Sequence, residues 1–390
     1  MNETRIMTIG EVCTTISDTY RAKADEVTLI NTSDVLEGKV LNHERVPNKG
    51  LKGQFKKTFK KNDILYSEIR PQNKRFAFVD FEPVDYIAST KLMVLRANTS
   101  IVLPMYLYYH LKSAPVIAEL QMLAETRSGT FPQITFSELS NLTIPVPSIK
   151  QQEAIVATIK CIEDRIDCNA EINDNLYEMV NAYYTSLFKD VECEMTTIGN
   201  YAERIYSGGT PTTSNASYWD GAFGWFSSGE TRNRFVISTE KTITQAGIDN
   251  SSTKLAAKHD IVMASAGQGF TRGQTSMLLI DTYVNQSVIV IHANRNVLPY
   301  LFWNLANRYE ELRAISDSSS IRGSLTTKMI SAFEIPLANE DSLQAFADFS
   351  WSVIPQIETN LLENERLTAL RDTLLPKLMS GEIDVSDIQL

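Results

Sequence analysis

Five segments from the first half of this 390-residue chain return in the same order 189 to 197 residues later. "MTIGEV" at Met7 is answered by "TTIGNY" at Thr196, and "KKNDILYSEIRPQNKRFAFVD" by "AKHDIVMASAGQGFTRGQTSMLLID". "YIASTKLMVLRAN" is answered by "YVNQSVIVIHANR", "LPMYLYYHLKSA" by "LPYLFWNLANR", and "LSNLTIPVPS" by "ISAFEIPLAN". A chain written twice must fold into two related bodies, and its length already exceeds one ordinary core. Four segments follow: a mixed region 1–149, a helical region 150–190, a second mixed region 191–341 and a second helical region 342–390.

The mixed regions read as β-rich. "DILYSEI" and "DIVMAS" are short apolar runs with breakers after them, and "KLMVLRA" and "SVIVIHA" read as buried strands. "PMYLYYHLKS" and "PYLFWNLANRYEELRAI" read as helices opened by proline in the first turn. "VDFEPVD" reads as a solvated acidic turn.

The helical regions carry matching seams. Ile155, Ile159, Ile162, Ile166, Asn169, Asn173, Leu176, Val180, Tyr183 and Leu187 alternate by four and three, the a/d spacing of a coiled coil. Adding 191 to each number gives Phe346, Ser350, Val353, Ile357, Asn360, Asn364, Leu367, Arg371, Leu374 and Leu378. A buried asparagine costs stability but sets register. If the helices pair in opposite directions, Asn169 lies near Asn364 and Asn173 near Asn360. The other arrangement open to these seams is two amphipathic helices, each packed on its own region. Pro355 is expected to kink or start the second helix. The fold class is therefore α+β: two β-rich regions, each followed by a long helix, the helices pairing as an antiparallel coiled coil.

Net charge is −10, which by itself argues against nucleic acid. Its distribution reverses the argument. Residues 1–150 hold 19 Lys and Arg against 16 Asp and Glu, whereas residues 151–195 hold three against ten and residues 342–390 three against eight. The acidity sits in the helical regions. His43 to Phe78 carries ten cations opposed only by Glu44, Asp63 and Glu68, a local patch of the kind that phosphate backbones attract.

No catalytic motif stands out. There is no G-x-x-x-x-G-K-[ST], no G-x-G-x-x-G opening a helix, no Asp/Asn-Pro-Pro-aromatic stretch, no G-x-S-x-G and no H-E-x-x-H. Cys13, Cys161, Cys168 and Cys193 form no C-x-x-C pair and lie far from the four histidines, so no metal site is expected. Free thiols fit a reducing cytoplasm. No apolar run nears the roughly 18 residues of a membrane span, and "MNETRIMTIGEV" lacks the pattern of a signal peptide.

The segments "TIGNYAERIYSGGTPTTSNASYWDGAFGWFSSGE", "FPQITFSELSNLTIPVPSIKQQEAIVATI" and "LLPKLMSGEIDV" resemble, in turn, three parts of the DNA-specificity subunits of type I restriction-modification systems. These are the opening of a target recognition domain, the junction of that domain with its helix, and the C-terminal end. The resemblance covers essentially the whole chain. It implies two recognition domains, 1–149 and 191–341, each reading half of a bipartite, asymmetric site on double-stranded DNA. The paired helices would hold them at a fixed distance. It further implies two methyltransferase subunits that bind S-adenosylmethionine and modify adenine at N6. Up to two restriction/translocase subunits using ATP and Mg would join them, with no cofactor on this chain, no catalysis by it and no membrane. The first domain departs from the pattern: "ISDTYRAKADE" stands where the second has "SGGTP", although "LINTSDV" matches "WFSSGET". The other function classes open to the residues are a scaffold or DNA-mimic regulator that reads no DNA, and an enzyme without a familiar motif.

Base reading needs paired donors and acceptors on exposed loops. The candidates are Arg70, Gln72, Asn73, Lys74 and Arg75 in the first domain, and Ser265, Gln268, Arg272, Gln274, Asn285 and Gln286 in the second. Lys56, Lys57, Lys60 and Lys61 suit phosphate. Ser207, Gly208, Gly209 and Thr210 form a loop with no lysine, hence not a nucleotide loop; a plain turn and a DNA-facing loop are both open to it.

Overall fold

The computed structural model describes residues 4–51, 53–127, 131–188, 194–267, 270–318 and 323–385. The chain divides into two compact units, Met1–Ile166 with Arg366–Leu390, and Asp167–Glu365. Two long helices, Ile149–Phe188 and Glu340–Ser380, contribute residues to both.

The first unit is built on an antiparallel sheet ordered Cys13–Ile16, Leu92–Ala97, Ile64–Ser67, Phe76–Phe78. Ile64–Ser67 and Leu92–Leu95 are buried at every position, because both faces of the sheet are covered. Ile64, Tyr66, Met93 and Leu95 face a core shared with Tyr106, Tyr109 and Leu120, and with Ile155, Ile159, Leu375 and Leu378 of the long helices. The alternate residues Leu65, Leu92 and Val94 face a second core with Ile30, Val79 and Ala88. That second core backs a sheet ordered Val46–Pro47, Glu26–Ile30, Tyr86–Ser89, Phe55–Lys57, whose two middle strands run parallel. Arg5–Thr8 pairs antiparallel with Thr143–Val146.

The second unit repeats this plan. Its main sheet runs Ala202–Ser207, Val288–Ala293, Ile261–Ala264, Thr275–Leu278, with Phe235–Val236 added at the edge. Ile261, Met263, Ile289 and Ile291 face one core, while Val262, Val288 and Val290 face the other. Its smaller sheet runs Lys241–Ile243, Trp219–Phe226, Thr282–Val284, Lys254–Ala256, again with the middle pair parallel. Met195–Thr197 pairs with Glu334–Pro336. Matching details recur: Tyr106 Oη donates to the Pro145 carbonyl at 2.8 Å, and Tyr300 Oη to that of Pro336 at 2.5 Å. The "LINTSDV" and "WFSSGET" segments both form capped 3-10 turns, with Asp34 bonding the Asn31 amide and Glu230 the Ser227 amide, each at 2.8 Å.

Within the second unit the long helices are antiparallel. Asn169 Nδ2 donates to Asn364 Oδ1 at 2.9 Å and to Glu363 Oε2 at 2.8 Å; Asn360 Nδ2 donates to Asn173 Oδ1 at 2.8 Å. Tyr183 packs on Phe346 and Phe349 further along. Pro355 does not start the second helix, which begins at Glu340 with two acids in its first turn, where the helix dipole favours them. The "VDFEPVD" turn is more than solvated acid: Asp85 accepts from Tyr20 Oη at 2.6 Å and lies 3.7 Å from Arg45 Nη2.

Candidate nucleic-acid interface

The two candidate loops are equivalent hairpins of the main sheets. In the first unit Arg70–Arg75 joins Ile64–Ser67 to Phe76–Phe78. Arg70 (φ 44°) and Lys74 (φ 52°) are left-handed, so the loop turns tightly around a 3-10 turn at Pro71–Asn73. Three tethers hold it. The Arg70 amide donates to the Pro132 carbonyl at 3.1 Å, the Ile134 amide to that of Glu68 at 2.8 Å, and the Gln72 amide to Gln121 Oε1 at 3.2 Å. Arg70, Gln72, Asn73 and Lys74 are exposed, and Lys74 pairs with Glu37 at 3.1 Å. Arg75 turns inward instead: its Nη1 donates to the Ser33 carbonyl at 3.0 Å and to that of Val35 at 3.4 Å.

In the second unit the hairpin joins Ile261–Ala264 to Thr275–Leu278. The same docked segment recurs, with the Leu325 amide donating to the Ser265 carbonyl at 2.9 Å. Arg272 is committed to this docking: Nη1 donates to the Gly323 carbonyl, and Nη2 to Asp317 Oδ1, both at 2.6 Å. Its side chain is 17% exposed, which makes it a strut of the loop rather than a free base reader. Ser265 and Asn285 are buried, and Asn285 Oδ1 accepts the Ser287 amide at 3.0 Å. Burial withdraws both from a direct contact. Gln274 is half-buried, its Oε1 3.5 Å from Thr231 Oγ1. Gln268 lies outside the described residues.

The "SGGTP" loop is explained by backbone approach. The Gly209 amide donates to the Val284 carbonyl at 3.1 Å, and a Cβ on Gly208 would stand 1.9 Å from that oxygen. A Cβ on Gly209 would stand 2.1 Å from Ser252 Oγ. Both glycines are required by packing. Thr210 then reaches Gln286, to which its hydroxyl donates, so the structure joins two candidates that are far apart in sequence; Gln286 is exposed. Ser207 ends the edge strand, half-buried. In the first unit "ISDTYRAKADE" holds its strand differently, by the Tyr20 amide on the Lys56 carbonyl at 2.8 Å.

The lysines divide. Lys56, Lys60 and Lys61 are exposed. Lys57 Nζ donates to the carbonyls of Leu92 at 2.8 Å and Thr90 at 3.1 Å, and burial holds its pKa below the usual lysine range. It ties a strand end rather than facing phosphate. Among the described residues no group of three His, Cys, Asp or Glu could hold a metal ion, and no helix is long and apolar enough to cross a membrane.

The family model described as "Type I restriction modification DNA specificity domain" matches the chain twice, over residues 1–178 and 191–362. The chain belongs to that family. It is a specificity subunit of a type I restriction-modification system, a non-catalytic component. Among curated relatives, it is 28% identical to the type I restriction enzyme HindI specificity subunit of Haemophilus influenzae, across 98% of this chain and all of that one. It is 26% identical to the EcoR124I/EcoR124II specificity subunit of Escherichia coli, across 73% of this chain and 70% of that one. The crystal structure of the type I restriction-modification S subunit from M. genitalium aligns over 97% of this chain and 96% of its own, with TM-score 0.59 at 17% identity, and shares the fold. Two features of this specificity subunit were missed from sequence: the docked segments at Pro132–Ile134 and Gly323–Leu325, and the internal commitments of Arg75, Arg272 and Lys57. Their partners lie tens of residues away, and no local pattern announces them.

Proposed function

We propose that this specificity subunit binds double-stranded DNA with both units, each reading one half of a bipartite, asymmetric site. It directs two methyltransferase subunits, which bind S-adenosylmethionine, to adenine N6, and up to two restriction/translocase subunits, which use ATP and Mg, to unmodified DNA. It carries no cofactor itself and works in the cytoplasm. The observation that carries this reading is the duplication of one hairpin, docked in each unit by an equivalent backbone bond, the Ile134 amide on Glu68 and the Leu325 amide on Ser265, in a chain that the family model matches twice. Arg70, Gln72, Asn73 and Lys74 in the first unit, and Gln286 in the second, bonded by the half-buried Thr210, are the exposed donors and acceptors suited to base edges. The cation-rich segment before the first hairpin supplies the nonspecific attraction.

The test is expression with the methyltransferase partner in a host lacking adenine methylation, followed by methylome sequencing. One asymmetric two-part motif is expected, lost when this chain is omitted. The purified chain alone is expected neither to transfer methyl groups nor to hydrolyse ATP, and robust methyl transfer by it would overturn the reading. Gel shift with the partner separates DNA reading from the behaviour of a scaffold or DNA mimic, which would leave DNA unbound.

A further inference from the structure

The two hairpins stand on one backbone frame. In the first unit the Glu68 amide donates to the Lys91 carbonyl at 3.0 Å, and the Ile134 amide, next to Gln133, to the Glu68 carbonyl at 2.8 Å. In the second unit the Ser265 amide donates to the Ser287 carbonyl, and the Leu325 amide, next to Ser324, to the Ser265 carbonyl, both at 2.9 Å. The Lys91 amide meets Ser89 Oγ at 3.3 Å, as the Ser287 amide meets Asn285 Oδ1 at 3.0 Å. These bonds pair Glu68 with Ser265, Lys91 with Ser287 and Gln133 with Ser324. The backbone is kept, yet all three side chains change: a carboxylate, an ammonium and an amide in one unit, three serines in the other. In the first unit they meet. Lys91 Nζ lies 3.5 Å from Glu68 Oε2 and donates to Gln133 Oε1 at 3.3 Å. The Lys91 side chain is 49% exposed, and contacts this long on an exposed ammonium add little to stability. A carboxylate beside the exposed Arg70 also weakens the attraction for phosphate, so its place there asks for a ligand that donates. A base edge does: cytosine N4 donates, while guanine O6 and N7 accept. In a G·C pair O6 and N4 are hydrogen-bonded to each other and stand about 3 Å apart, close to the separation of Lys91 Nζ and Glu68 Oε2.

We propose that Glu68 and Lys91, with Gln133 steadying the ammonium, read one G·C pair in the half-site of the first unit, Glu68 accepting from cytosine N4 and Lys91 donating to guanine O6 or N7. The proposal rests on the DNA-reading function above. Lys57, fixed on the carbonyls of Thr90 and Leu92, is close enough to Glu68 for the two charges to interact. The carboxylate therefore keeps a cation nearby when Lys91 turns to a base. The second unit, with serines at the matching positions and Ser265 buried, makes no such contact. One frame with two sets of side chains is thus a source of the asymmetry between half-sites.

The experiment expresses the full chain with its methyltransferase partner in a host lacking adenine methylation and reads the motif by methylome sequencing. A variant carrying Glu68→Ser, Lys91→Ser and Gln133→Ser gives the first unit the side chains of the second. It should turn one fixed G·C pair degenerate in the half-site that Arg70→Ala also weakens, and leave the other half-site unchanged. Anisotropy with the purified complex measures the same discrimination. Replacing that pair by A·T should weaken binding roughly ten- to a hundred-fold for the unaltered complex and about two-fold or less for the variant. Lys91→Arg should keep the guanine. Glu68→Gln preserves the shape but adds a donor, so it should relax the cytosine preference without lowering the urea midpoint, and it decides the matter if the triple variant does not fold. An unchanged motif in a folded variant, relaxation at an A·T pair or in the other half-site, or a first half-site with no fixed G·C pair would overturn the proposal. So would a Glu68→Gln variant that loses stability and binds every duplex less well alike, since the triad would then be structural. If the unaltered complex yields no two-part motif, the DNA-reading function fails first and the proposal falls with it.

Discussion

The Arg96 guanidinium donates to both carboxylate oxygens of the buried Asp63, Nε to Oδ1 and Nη2 to Oδ2, each at 2.7 Å. At the equivalent place in the second unit Asp260, also buried, lies 2.5 Å from His292 Nδ1. In both units the same aspartate closes the turn into its strand, accepting the Lys60 amide at 2.8 Å or the Ala257 amide at 2.9 Å. Each carboxylate thus ties a turn and two neighbouring strands of the main sheet. The repeat keeps the anion and varies the partner.

This arrangement gives the first prediction. Arg96→Ala leaves a buried carboxylate without its cation and should destabilise the first unit by about 1–3 kcal/mol, less than for a fully buried pair because Arg96 is one-third exposed. Asp63→Ala combined with Arg96→Ala should cost less than the sum of the single changes. Urea unfolding of the four proteins in the cycle measures the coupling. Strict additivity would show that the pair does not join the strands.

A second prediction concerns the four asparagines of the helix pair. Asn169 is 1% exposed and Asn360 4% exposed, so their amides are satisfied chiefly by each other's helices. Asn169→Leu alone strips Asn364 of a partner and should lower the thermal midpoint by several degrees. Replacing Asn169, Asn173, Asn360 and Asn364 together by Leu should raise the midpoint and loosen register. Calorimetry reads the first effect. Cysteine cross-linking at positions one heptad out of register reads the second, and a quadruple variant that cross-links only in register would remove the asparagines' role.

Histidine supplies the pH dependence. His110 is held down to a pKa of about 4 by burial, against 6.5 for the free side chain, with its ring Nε2 3.0 Å from the Thr143 carbonyl. The unfolded chain therefore binds a proton below pH 6.5 that the folded chain refuses until about pH 4. Stability from this group is complete above pH 6.5 and is lost as pH falls through that window, by up to about 3 kcal/mol. The urea midpoint of the unaltered chain should fall between pH 7 and pH 4.5 more steeply than that of His110→Gln. Parallel pH profiles would refute the assignment.

The elements with strict period were legible in the sequence. The seam alternating by four and three marks both long helices, and the offset of 191 alone selects which asparagines can face each other. The strands Ile64–Ser67 and Ile261–Ala264 were legible as apolar runs. The parallel pairing of Glu26–Ile30 with Tyr86–Ser89 was not, because short strands declare no partner until the sheet is assembled. The candidate site was legible at the level of loops and not of side chains. "RPQNKR" and "TRGQT" both look like polar hairpins, yet Arg272 spends its guanidinium on Asp317 and on Gly323, 51 residues away, while Arg70 stays exposed. Composition cannot separate a cation that builds a loop from one that the loop displays.

That distinction sets the last prediction. Lys56, Lys60 and Lys61 are exposed, whereas Lys57 is anchored on two carbonyls. Phosphate contacts release counterions, each steepening the dependence of log K on log salt by about 0.9. Replacing Lys56, Lys60 and Lys61 together by Ala should weaken binding to every duplex alike and flatten the salt slope by up to about three, leaving the methylated motif unchanged. Lys57→Ala should behave differently: losing two charge-assisted hydrogen bonds should cost about 1–3 kcal/mol of folding stability, with the salt slope unaltered for the fraction that remains folded. The pair of measurements is binding across 50–300 mM salt, roughly the span over which such slopes are read, and urea unfolding of the same proteins. If Lys57→Ala flattened the salt slope without loss of stability, its ammonium would be reaching phosphate, and the division of this lysine cluster would be wrong.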